Sequence, residues 1–515
     1  MNMFFLLLLS LSGLADALYL TWEHYAKVIP PCTVNHYLLI LSDCGKVLQS
    51  SYAIVYGIPV ALIGVFYYSV LTTALMFTLF STKKIIRYFI VLQTIAGTIG
   101  SLYFMFLQFF IIKSICIYCT LSALICFAIV AISYYFFKKD RYLLHLSIYA
   151  FIYQRILKPI YFLIDPEIIH ERMVFFGNLL AHTPLIRLIG TKFVYKEKSI
   201  QQKINGINFE NPIGLAAGFD YDANLTQALY YLDFGFQSVG TVTNRPFEGN
   251  PRPRLGRLPK SRSLMVNKGF KNKGAEIIAN NLKGLDFKIP VGISIGVTNN
   301  KLISTIEEAI KDIISAFKIF EKAGVKNSYY ELNISCPNLA NAKTVDFYSP
   351  KNLGLLLKSV DRLNLKKPIF IKMPIEKTNR DVLAMLKIID LHKSITGLIF
   401  GNLQKDKNNP SLFKDEVKKF KVGNFSGKPC EVRSNELIKL TYKKYKDRFT
   451  IIGCGGVFSA ADAYKKIKLG ASLVQLITGM IFQGPQLISQ INLELIDLIK
   501  QDGFRNIKDA VGRGI

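Results

Sequence analysis

Four long apolar runs occupy the first 140 residues, and they constrain the fold of this chain more than any other feature. They cover residues 3–20, 52–80, 88–112 and 115–137. Each is about long enough to cross the hydrocarbon core of a bilayer as a helix, which needs about 20 residues. The first run could be a signal peptide, but it lacks a basic start and a good cleavage site. We therefore expect an all-α, four-helix transmembrane domain over residues 1–140.

Charged loops between the runs give the orientation of these helices. Basic residues cluster at residues 83–87, between the second and third runs, and at residues 138–141, after the fourth. The positive-inside rule places both clusters in the cytoplasm. The loop at residues 21–51 and the turn at residues 113–114 then lie on the other side of the membrane.

The rest of the chain is strongly basic. The sequence has 64 Lys and Arg residues against 36 Asp and Glu residues, and only 8 of the basic residues precede residue 141. A basic excess after a membrane domain indicates attraction to anionic lipid and to anionic small molecules. No nucleic-acid-binding motif accompanies the charge, so we predict a lipid bilayer and no nucleic acid among the partners.

Four of the eight cysteines fall in the part predicted to lie outside the cytoplasm. Cys32 and Cys44 belong to the first outer loop, and Cys116 and Cys119 form a CxxC pair at the start of the fourth run. A thiolate at a helix start is stabilised by the helix dipole, and a partner three residues later lies on the same face. This pattern indicates a redox-active pair. Inert cysteines in a membrane helix and a zinc site of four thiols are the alternatives.

These residues resemble the vitamin K epoxide reductase (VKOR) family in its bacterial form. The resemblance is carried by Cys32, residues 43–53, Gly57-Ile58-Pro59 and the CxxC pair. It implies that Cys116 and Cys119 exchange electrons with a quinone. It also implies that Cys32 and Cys44 take electrons from periplasmic thiols, such as those of a thioredoxin-like protein. The domain would then lie in the inner (cytoplasmic) membrane with all four cysteines on the periplasmic side.

Residues 141–200 have the pattern of an amphipathic, helical connector. Apolar residues alternate there with Arg155, Lys158 and Arg187. Basic residues beside an apolar stripe are typical of a helix lying in the membrane surface; a linker helix packed on the next domain is the alternative. Asp165 followed by Pro166 predicts a helix start, with Asp as the cap and Pro in the first turn.

From residue 201 to residue 500, short apolar strands alternate with helical stretches. Eight such units over roughly 300 residues predict an α/β TIM barrel, the (β/α)8 fold. Residues 501–515 are predicted to form a C-terminal tail. The predicted strands cover residues 212–218, 238–243, 291–297, 329–335, 369–373, 397–401, 450–453 and 473–478.

Glycine-rich turns follow the seventh and eighth predicted strands, at residues 453–456 and 478–479, and a further Gly-Asn-Phe-Ser-Gly segment covers residues 423–427. Glycines let backbone N–H groups approach a phosphate, and barrels commonly bind phosphate at these two loops. The sequence therefore predicts a phosphate-bearing cofactor.

The fourth predicted strand runs into an amide- and thiol-rich segment that contains Asn333, Cys336 and Asn338. The carboxyl ends of barrel strands are where catalytic groups lie, so we predict catalytic chemistry here. An Asn-rich turn with a buried cysteine is the alternative.

With these positions in place, the domain resembles the membrane-associated, quinone-linked dihydroorotate dehydrogenases, which form orotate in pyrimidine biosynthesis. The matching stretches are residues 165–170, 211–220, 240–243, 249–254, 267–270, 333–338, 426–427 and 452–456. The resemblance implies a cytoplasmic barrel with FMN, no metal, and a membrane quinone, ubiquinone or menaquinone, as electron acceptor. It implies flavin-binding residues Ala217, Thr241, Asn267, Asn333, Lys372, Ser426, Gly427, Gly455, Gly456 and Thr478. It implies dihydroorotate- or orotate-binding residues Asn267, Gly269, Phe270, Asn333, Asn338 and Asn402.

Two residues have predicted roles in the chemistry. Oxidising dihydroorotate removes a proton from C5 and a hydride from C6, so a base must face the substrate ring. Cys336 is the predicted base, because a thiol with an ordinary pKa of about 8.5 ionises far more readily than a hydroxyl. Lys372 is predicted to offset negative charge at the flavin; a solvated lysine at a strand end is the alternative.

Four positions depart from the quinone-linked pattern. Cys336 stands where that class usually has Ser, and Tyr221 stands where a lysine usually contacts substrate and flavin. Ser294 replaces an amide, and Leu403 replaces a hydroxyl residue. These departures keep an alternative open: an FMN-dependent oxidoreductase acting on another dihydropyrimidine-like substrate, with the N-terminal domain serving only as a membrane anchor.

Overall fold

The protein divides into two compact units, Met1–His145 and Leu146–Ile515. We describe each unit separately, from a computed structural model. The described residues are 2–28, 43–80, 84–335, 338 and 345–515.

Helices dominate the first unit. Its elements are α1 (Asn2–Ala26), α2 (Cys44–Leu48), β1 (Ile54–Val55), β2 (Ile58–Pro59), α3 (Val60–Phe80), α4 (Lys84–Phe106), a π-helical turn (Leu107–Ile112) and α5 (Ile117–Phe136). Among the described residues, four helices are long and apolar enough to cross a membrane, namely α1, α3, α4 with its turn, and α5. Helices α1 and α4 each pack against both α3 and α5, so the four form a closed bundle. The prediction of four spans is confirmed.

Polar contacts between the helices help to fix how they pack, because apolar packing alone is not directional. The Tyr68 hydroxyl on α3 donates to the Ser122 carbonyl oxygen on α5 (3.1 Å), and Thr72 donates to Ser10 on α1 (3.0 Å). Such hydrogen bonds stabilise helix association in an apolar solvent. Arg87 and Asp140 form an ion pair (3.2 Å) that joins the two segments carrying the basic clusters.

The connector is helical, as its pattern predicts. It contains α6 (Lys138–Ile152), a π-helical turn (Tyr153–Leu157), α7 (Lys158–Leu163), α8 (Pro166–Ala181) and α9 (Leu185–Phe193). Asp165 caps α8 by accepting hydrogen bonds from the amides of Glu167 (2.8 Å) and Ile168 (3.2 Å), which confirms the predicted helix start. Helices α8 and α9 meet at 105°. Their exposed faces carry large apolar side chains, including Phe175 and Leu188.

A closed barrel of eight parallel strands forms the centre of the second unit. The strands of this unit are β3 (Gln202–Ile204), β4 (Ile207–Phe209), β5 (Ile213–Leu215), β6 (Phe236–Val242), β7 (Leu255–Leu258), β8 (Ser263–Val266), β9 (Val291–Ile295), β10 (Tyr329–Asn333), β11 (Ile369–Met373), β12 (Ile395–Phe400), β13 (Asn424–Phe425), β14 (Thr450–Cys454) and β15 (Leu473–Leu476). The barrel order is β10, β11, β12, β14, β15, β5, β6 and β9. Every predicted strand is present, so the TIM-barrel prediction is confirmed.

Helices surround the barrel. They are α10 (Ala275–Leu282), α11 (Ile306–Ala323), α12 (Pro350–Asp361), α13 (Asn379–Asp390), α14 (Lys414–Val417), α15 (Glu431–Tyr445), α16 (Ala460–Lys468), α17 (Thr478–Gln483) and α18 (Leu487–Gln501). Local sequence sets several of their ends. Thr305 and Glu308 form a capping box at the start of α11, and Gly324 ends that helix with φ +67°, a conformation that glycine adopts without strain.

Two layers of packing close the barrel away from its carboxyl end. The β3–β4 hairpin places Phe209 against Phe236, Tyr329 and Phe370 inside the barrel. The segment after α18, expected as a tail, buries Ile507 completely against the helical layer. Because the opposite end is closed in this way, polar groups of the barrel gather at the carboxyl ends of the strands.

Candidate active sites

A buried chain of hydrogen bonds crosses the carboxyl end of the barrel. The Asn333 side-chain amide on β10 donates to Thr241 on β6 (2.8 Å), and Thr241 is hydrogen-bonded to Ser294 on β9 (3.0 Å). Ser294 in turn donates to a carboxylate oxygen of Glu331 (2.9 Å), which lies 3.7 Å from the ammonium group of Lys372 on β11. The network therefore joins three predicted cofactor residues into one unit.

This network gives a structural role to Ser294, one of the four departures from the quinone-linked pattern, and it shows one further residue of the site, Glu331. Ser294, where an amide was expected, is the link between Thr241 and Glu331. Glu331 is fully buried, and the sequence alone gave no reason to assign it a role. Lys372 is only 5% exposed, so it is not the solvated strand-end lysine that was the alternative. A buried carboxylate beside a buried ammonium group partly offsets the cost of burying both charges and fixes the direction of the lysine side chain.

One cavity collects most of the predicted flavin-binding residues. Its lining includes Ala217, Lys372, Asn402, Ser426, Gly427, Gly455, Gly456 and Thr478. The Ser426 and Thr478 hydroxyl groups lie 2.8 Å apart. Gly427 has φ +80°, and a Cβ there would lie 2.4 Å from the Arg262 carbonyl oxygen, so this position requires glycine. Hydroxyl groups and glycines that follow β13, β14 and β15, with the buried Lys372 beside them, fit a phosphate-bearing flavin.

A second group of side chains forms an amide cluster beside this cavity. The Asn250 side-chain amide donates to Asn267 Oδ1 (3.2 Å) and to the Asn338 carbonyl oxygen (2.9 Å). Asn299 donates to Asn250 (3.1 Å), and Asn424 donates to Asn338 (2.6 Å). The predicted residues Asn267 and Asn338 thus lie together, and Asn250, Asn299 and Asn424 were missed. Asn250 and Asn424 lie in segments that the sequence analysis had singled out, residues 249–254 and 423–427, whereas Asn299 had no signal beyond its place after a predicted strand.

The remaining predicted substrate residues lie around the same mouth. Asn402 donates to the Ser335 carbonyl oxygen and hydroxyl group, both at 2.6 Å. Gly269 has φ +65°, and a Cβ there would lie 2.6 Å from the Asn299 side chain. The Phe270 ring lies close to Gly296 and Thr241, since a Cβ at Gly296 would approach both. The predicted base, Cys336, lies outside the described residues.

Tyr221 is not left without a positive charge, although it stands at a position where a lysine was expected. The ammonium group of Lys268 lies 4.4 Å from the centre of the Tyr221 ring, a cation–π distance. Lys268 is 5% exposed, and burial lowers the pKa of its ammonium group to about 7. The His170 ring also packs on Tyr221, with ring centres 5.2 Å apart. A basic side chain from a neighbouring loop therefore lies beside Tyr221, which the sequence pattern did not reveal.

The CxxC pair lies at the start of α5 with the predicted geometry. Cys116 is the N-cap of the helix, and its sulfur accepts a hydrogen bond from the Cys119 amide (3.5 Å). The Gln108 side chain accepts a hydrogen bond from the Cys116 amide (2.8 Å) and holds this turn in place. Both cysteines are free thiols. The positive end of the helix dipole lies at Cys116, which is buried, and Cys119 is the partly exposed sulfur of the pair.

The other predicted thiol pair is described only in part. Cys44, at the start of α2, is disulfide-bonded, and none of the other described cysteines is its partner. Cys32 lies outside the described residues. Cys44 packs in the same buried cluster as Val47 and Cys116. A disulfide-bonded cysteine thus lies beside the free CxxC pair.

A cavity of about 340 Å³ opens between the four helices next to Cys119. Its walls are mostly apolar and come from α1, α3, α4 and α5, with polar groups from Asp16, Tyr67, Gln108 and Ser122. The volume falls within the range of small-molecule sites, roughly 300–1,000 Å³. The arrangement can hold an apolar ring against a thiol.

Comparisons with known proteins find a family for each part of the chain. The sequence model of the family described as "Dihydroorotate dehydrogenase" matches residues 199–499, and that of the "Vitamin K epoxide reductase family" matches residues 4–134. A protein of Trichodesmium erythraeum named "Dihydroorotate dehydrogenase (quinone)" is 33% identical over 380 residues, covering 70% of this chain and 98% of that protein. One of the same name from Christiangramia forsetii is 35% identical, covering 67% of this chain and 99% of that protein.

Solved structures agree with the barrel. The ligand-free DHODH structure from Eimeria tenella is similar with a TM-score of 0.59 and 25% identity, over 68% of this chain and 99% of that chain. The second unit therefore spans the whole length of its relatives. The chain belongs to the dihydroorotate dehydrogenase family and carries an N-terminal domain of the vitamin K epoxide reductase family.

Proposed function

We propose that the barrel oxidises dihydroorotate to orotate with FMN and passes the electrons to a membrane quinone, ubiquinone or menaquinone. The observation that carries the proposal is the buried network from Asn333 to Lys372, which connects the predicted substrate side of the site to the predicted flavin side. Relatives that this chain covers almost completely are named for the same quinone-linked reaction.

On the substrate side, neutral amides would hold the ring and its carboxylate. Asn267, Asn333, Asn338 and Asn402 would supply N–H donors, and Gly269 lets the backbone pack closely against the amide side chains of Asn250 and Asn299. Cys336, between Ser335 and Asn338 in the sequence, would accept the C5 proton. The amide cluster stiffens this wall of the site, because each of its side chains is held by a neighbour.

On the cofactor side, Ser426, Gly427, Gly455, Gly456 and Thr478 would hold the phosphate of FMN. When bound there, FMN would supply the acceptor for the C6 hydride and the route for electrons to the quinone. Lys372 would offset negative charge at the ring, and Glu331 keeps the lysine directed into the cavity. Ala217 and Thr241 would pack against the same ring.

The connector and the first unit support a membrane location and a quinone as the electron acceptor. The exposed apolar faces of α8 and α9 would lie in the membrane surface and admit the quinone. The four spans would place the protein in the inner membrane, with the barrel on the cytoplasmic side and the CxxC pair on the periplasmic side. In this organisation, residues 1–140 form the membrane domain, residues 141–200 the connector and residues 201–500 the barrel.

The test is anaerobic and follows the flavin itself. Dihydroorotate is added to the detergent-purified protein, the visible flavin absorbance is recorded, and a soluble quinone is then added. We expect bleaching followed by recovery, which separates the two half-reactions. A bound flavin that stays oxidised with dihydroorotate would contradict the substrate assignment and favour another dihydropyrimidine-like substrate, which profiling of such compounds would identify.

We also propose that the N-terminal domain is a thiol:quinone oxidoreductase. The observation that carries this proposal is the free CxxC pair at the start of α5, beside an apolar cavity and a disulfide-bonded Cys44. Cys32 and Cys44 would receive electrons from periplasmic thiols, including those of a thioredoxin-like partner, and Cys116 and Cys119 would pass them to the quinone.

The Cys119→Ala variant tests this second activity. We expect it to abolish quinone reduction by a small dithiol while leaving quinone reduction by dihydroorotate intact. Equal dithiol-dependent rates in the wild-type and variant proteins would show that the domain serves only as an anchor.

A further inference from the structure

An acidic residue lies in the middle of the first membrane helix. Asp16 is about halfway along the span Met3–Ala26. Helices α3 and α5 contain no Asp, Glu, Lys or Arg, and the charged residues of α4 lie in its first turn. An ionisable side chain at membrane depth is costly to insert, so it usually marks a functional group and not a structural one.

Asp16 faces the cavity that also exposes Cys119. Both residues line it, together with Ser122 of α5. Ser122 lies within hydrogen-bonding reach of the Asp16 carboxyl group. The other carboxyl oxygen, Oδ2, is buried without a hydrogen-bond partner among the described residues. One side of the carboxyl group thus has a hydrogen-bond partner, and the other oxygen has none among the described residues.

The cysteines of the CxxC pair lie within electrostatic range of this carboxyl group. Asp16 interacts through its charge with both Cys116 and Cys119. No Lys or Arg occurs among the described residues that line the cavity. His24 also lines the cavity, but it lies about two turns along the helix, so Asp16 has no ion-pair partner among these residues and a proton is the charge it can exchange. A carboxyl group that alternates between its two protonation states in this place suits proton transfer.

We propose that Asp16 carries protons from the CxxC dithiol to a quinone bound in this cavity. The inference rests on the thiol:quinone activity proposed above. Oxidation of two thiols to a disulfide forms one S–S bond, breaks two S–H bonds and releases two electrons and two protons. Reduction of the quinone to the quinol takes up two electrons and two protons. The Asp16 carboxylate accepts each thiol proton in turn and gives it to a quinone oxygen.

Other titratable groups surround the cavity and could compete for this role. They are His24 on α1, Tyr52 before β1, Tyr67 and Tyr68 on α3, and Cys126 on α5. The tyrosine hydroxyl groups are weaker acids by about six pKa units than a carboxyl group, so they are poor carriers near neutral pH. Glu23 and His24 lie about two turns from Asp16, at the end of the span.

The test uses the full-length protein in detergent, with a small dithiol as donor and a short-chain soluble quinone as acceptor. Asp16→Ala is expected to lower the quinone reduction rate about a hundredfold, the usual size of a lost acid–base group. Formate should restore part of the rate by replacing the missing carboxyl group, and Asp16→Glu should retain most of it. Glu23→Gln is the matched control, because it changes a carboxyl group on the same helix that does not line the cavity.

Three outcomes decide the matter. An Asp16→Ala rate within twofold of the wild-type rate would overturn the proposal. An equal loss in Asp16→Ala and Glu23→Gln, without formate rescue, would also overturn it, because the loss would then not depend on the carboxyl group in the cavity. A wild-type protein that performs no better than Cys119→Ala would overturn the thiol activity itself. Dihydroorotate-dependent quinone reduction, measured on every variant, reports whether the chain is intact.

Discussion

Lys268 has an ammonium group that is buried without a hydrogen-bond partner among the described residues. Its nearest compensation is the face of the Tyr221 ring. A cation–π contact offsets only part of the hydration free energy that a buried ammonium group loses. Burial therefore lowers the pKa of Lys268 to about 7. Stability should therefore depend on the pH through this one residue.

Replacing Lys268 by Met should stabilise the protein, and most strongly at low pH. The folded-state pKa is about 7 against an ordinary value of 10.5, so between these two pH values the unfolded chain binds the proton and the folded chain does not. Stability then rises with pH across this window, and the full penalty of the charged lysine applies below pH 7. We expect Lys268→Met to gain roughly 2–4 kcal/mol at pH 6, with the gain shrinking towards pH 10.

The measurement is the apparent melting temperature in detergent at a fixed heating rate, in a pH series. Lys271→Met is the matched control, because Lys271 is paired with Glu171 at 2.8 Å and should show no gain. A gain that is the same at all pH values would mean that Lys268 acts through packing and not through its charge.

The ion pair between Glu331 and Lys372 leads to a second prediction, which concerns stability and flavin binding. Lys372→Met should leave the Glu331 carboxylate buried without its cation, which typically destabilises by about 3–5 kcal/mol. Adding Glu331→Gln should restore most of the melting temperature, because the unpaired charge is gone. Flavin content per protein should stay low in both variants if Lys372 contacts the cofactor. Full flavin content in the stable double variant would argue against that contact.

Local motifs made some of these residues predictable and hid others. Asn333, Ser426 and Gly455 sit in short segments whose residue types already indicate a strand end and a glycine turn. Glu331 and Lys268 were not predictable, because their importance comes from partners 41 and 47 positions away in the chain, Lys372 and Tyr221. Burial and pairing over such separations depend on closure of the barrel, which no local pattern encodes.

At the scale of elements, the eight barrel strands were predictable because each is a short apolar run between polar turns. Several strands end earlier than predicted, as in β10, which stops at Asn333 and not at Ser335. The residues beyond the ladder turn to hydrogen-bond side chains, as Ser335 does with Asn402. Apolarity therefore located the strands, while side-chain hydrogen bonds set where they end.

Helix α8 provides an element-scale prediction through its cap. Asp165→Ala removes the acceptor for the amides of Glu167 and Ile168 and should destabilise the first turn by about 1 kcal/mol. If α8 admits the quinone, the KM for quinone should rise while flavin reduction by dihydroorotate is unchanged. Hydrogen exchange of α8 amides measures the local loss. Ser459→Ala, which removes the N-cap of α16, is the control and should leave the KM unchanged.

At the scale of the whole molecule, the second unit should fold by itself. Residues 146–515 contain a closed barrel with its own core. Relatives of which 98% is covered align with only 70% of this chain, so proteins of that length lack a counterpart to the first unit. We expect a chain of residues 146–515 to bind flavin and to oxidise dihydroorotate with a soluble quinone at a rate within about twofold of the full-length rate.

Flavin stoichiometry and anaerobic bleaching of the shortened protein check this expectation. The full-length protein in the same detergent is the reference. A shortened chain that aggregates or loses its flavin would show that the first unit is needed for the barrel to fold.

The two units share one polypeptide, and this has a consequence for the cell. Each completed translation yields one periplasm-facing thiol oxidase and one pyrimidine-forming enzyme under the proposed functions, so gene dosage and protein turnover change both by the same factor. Expression cannot then adjust disulfide formation independently of nucleotide supply. Because the two units are made in equal amounts, the ratio of thiol oxidation to orotate formation would be set by the levels of their substrates. Both activities would also draw on the same limited quinone pool.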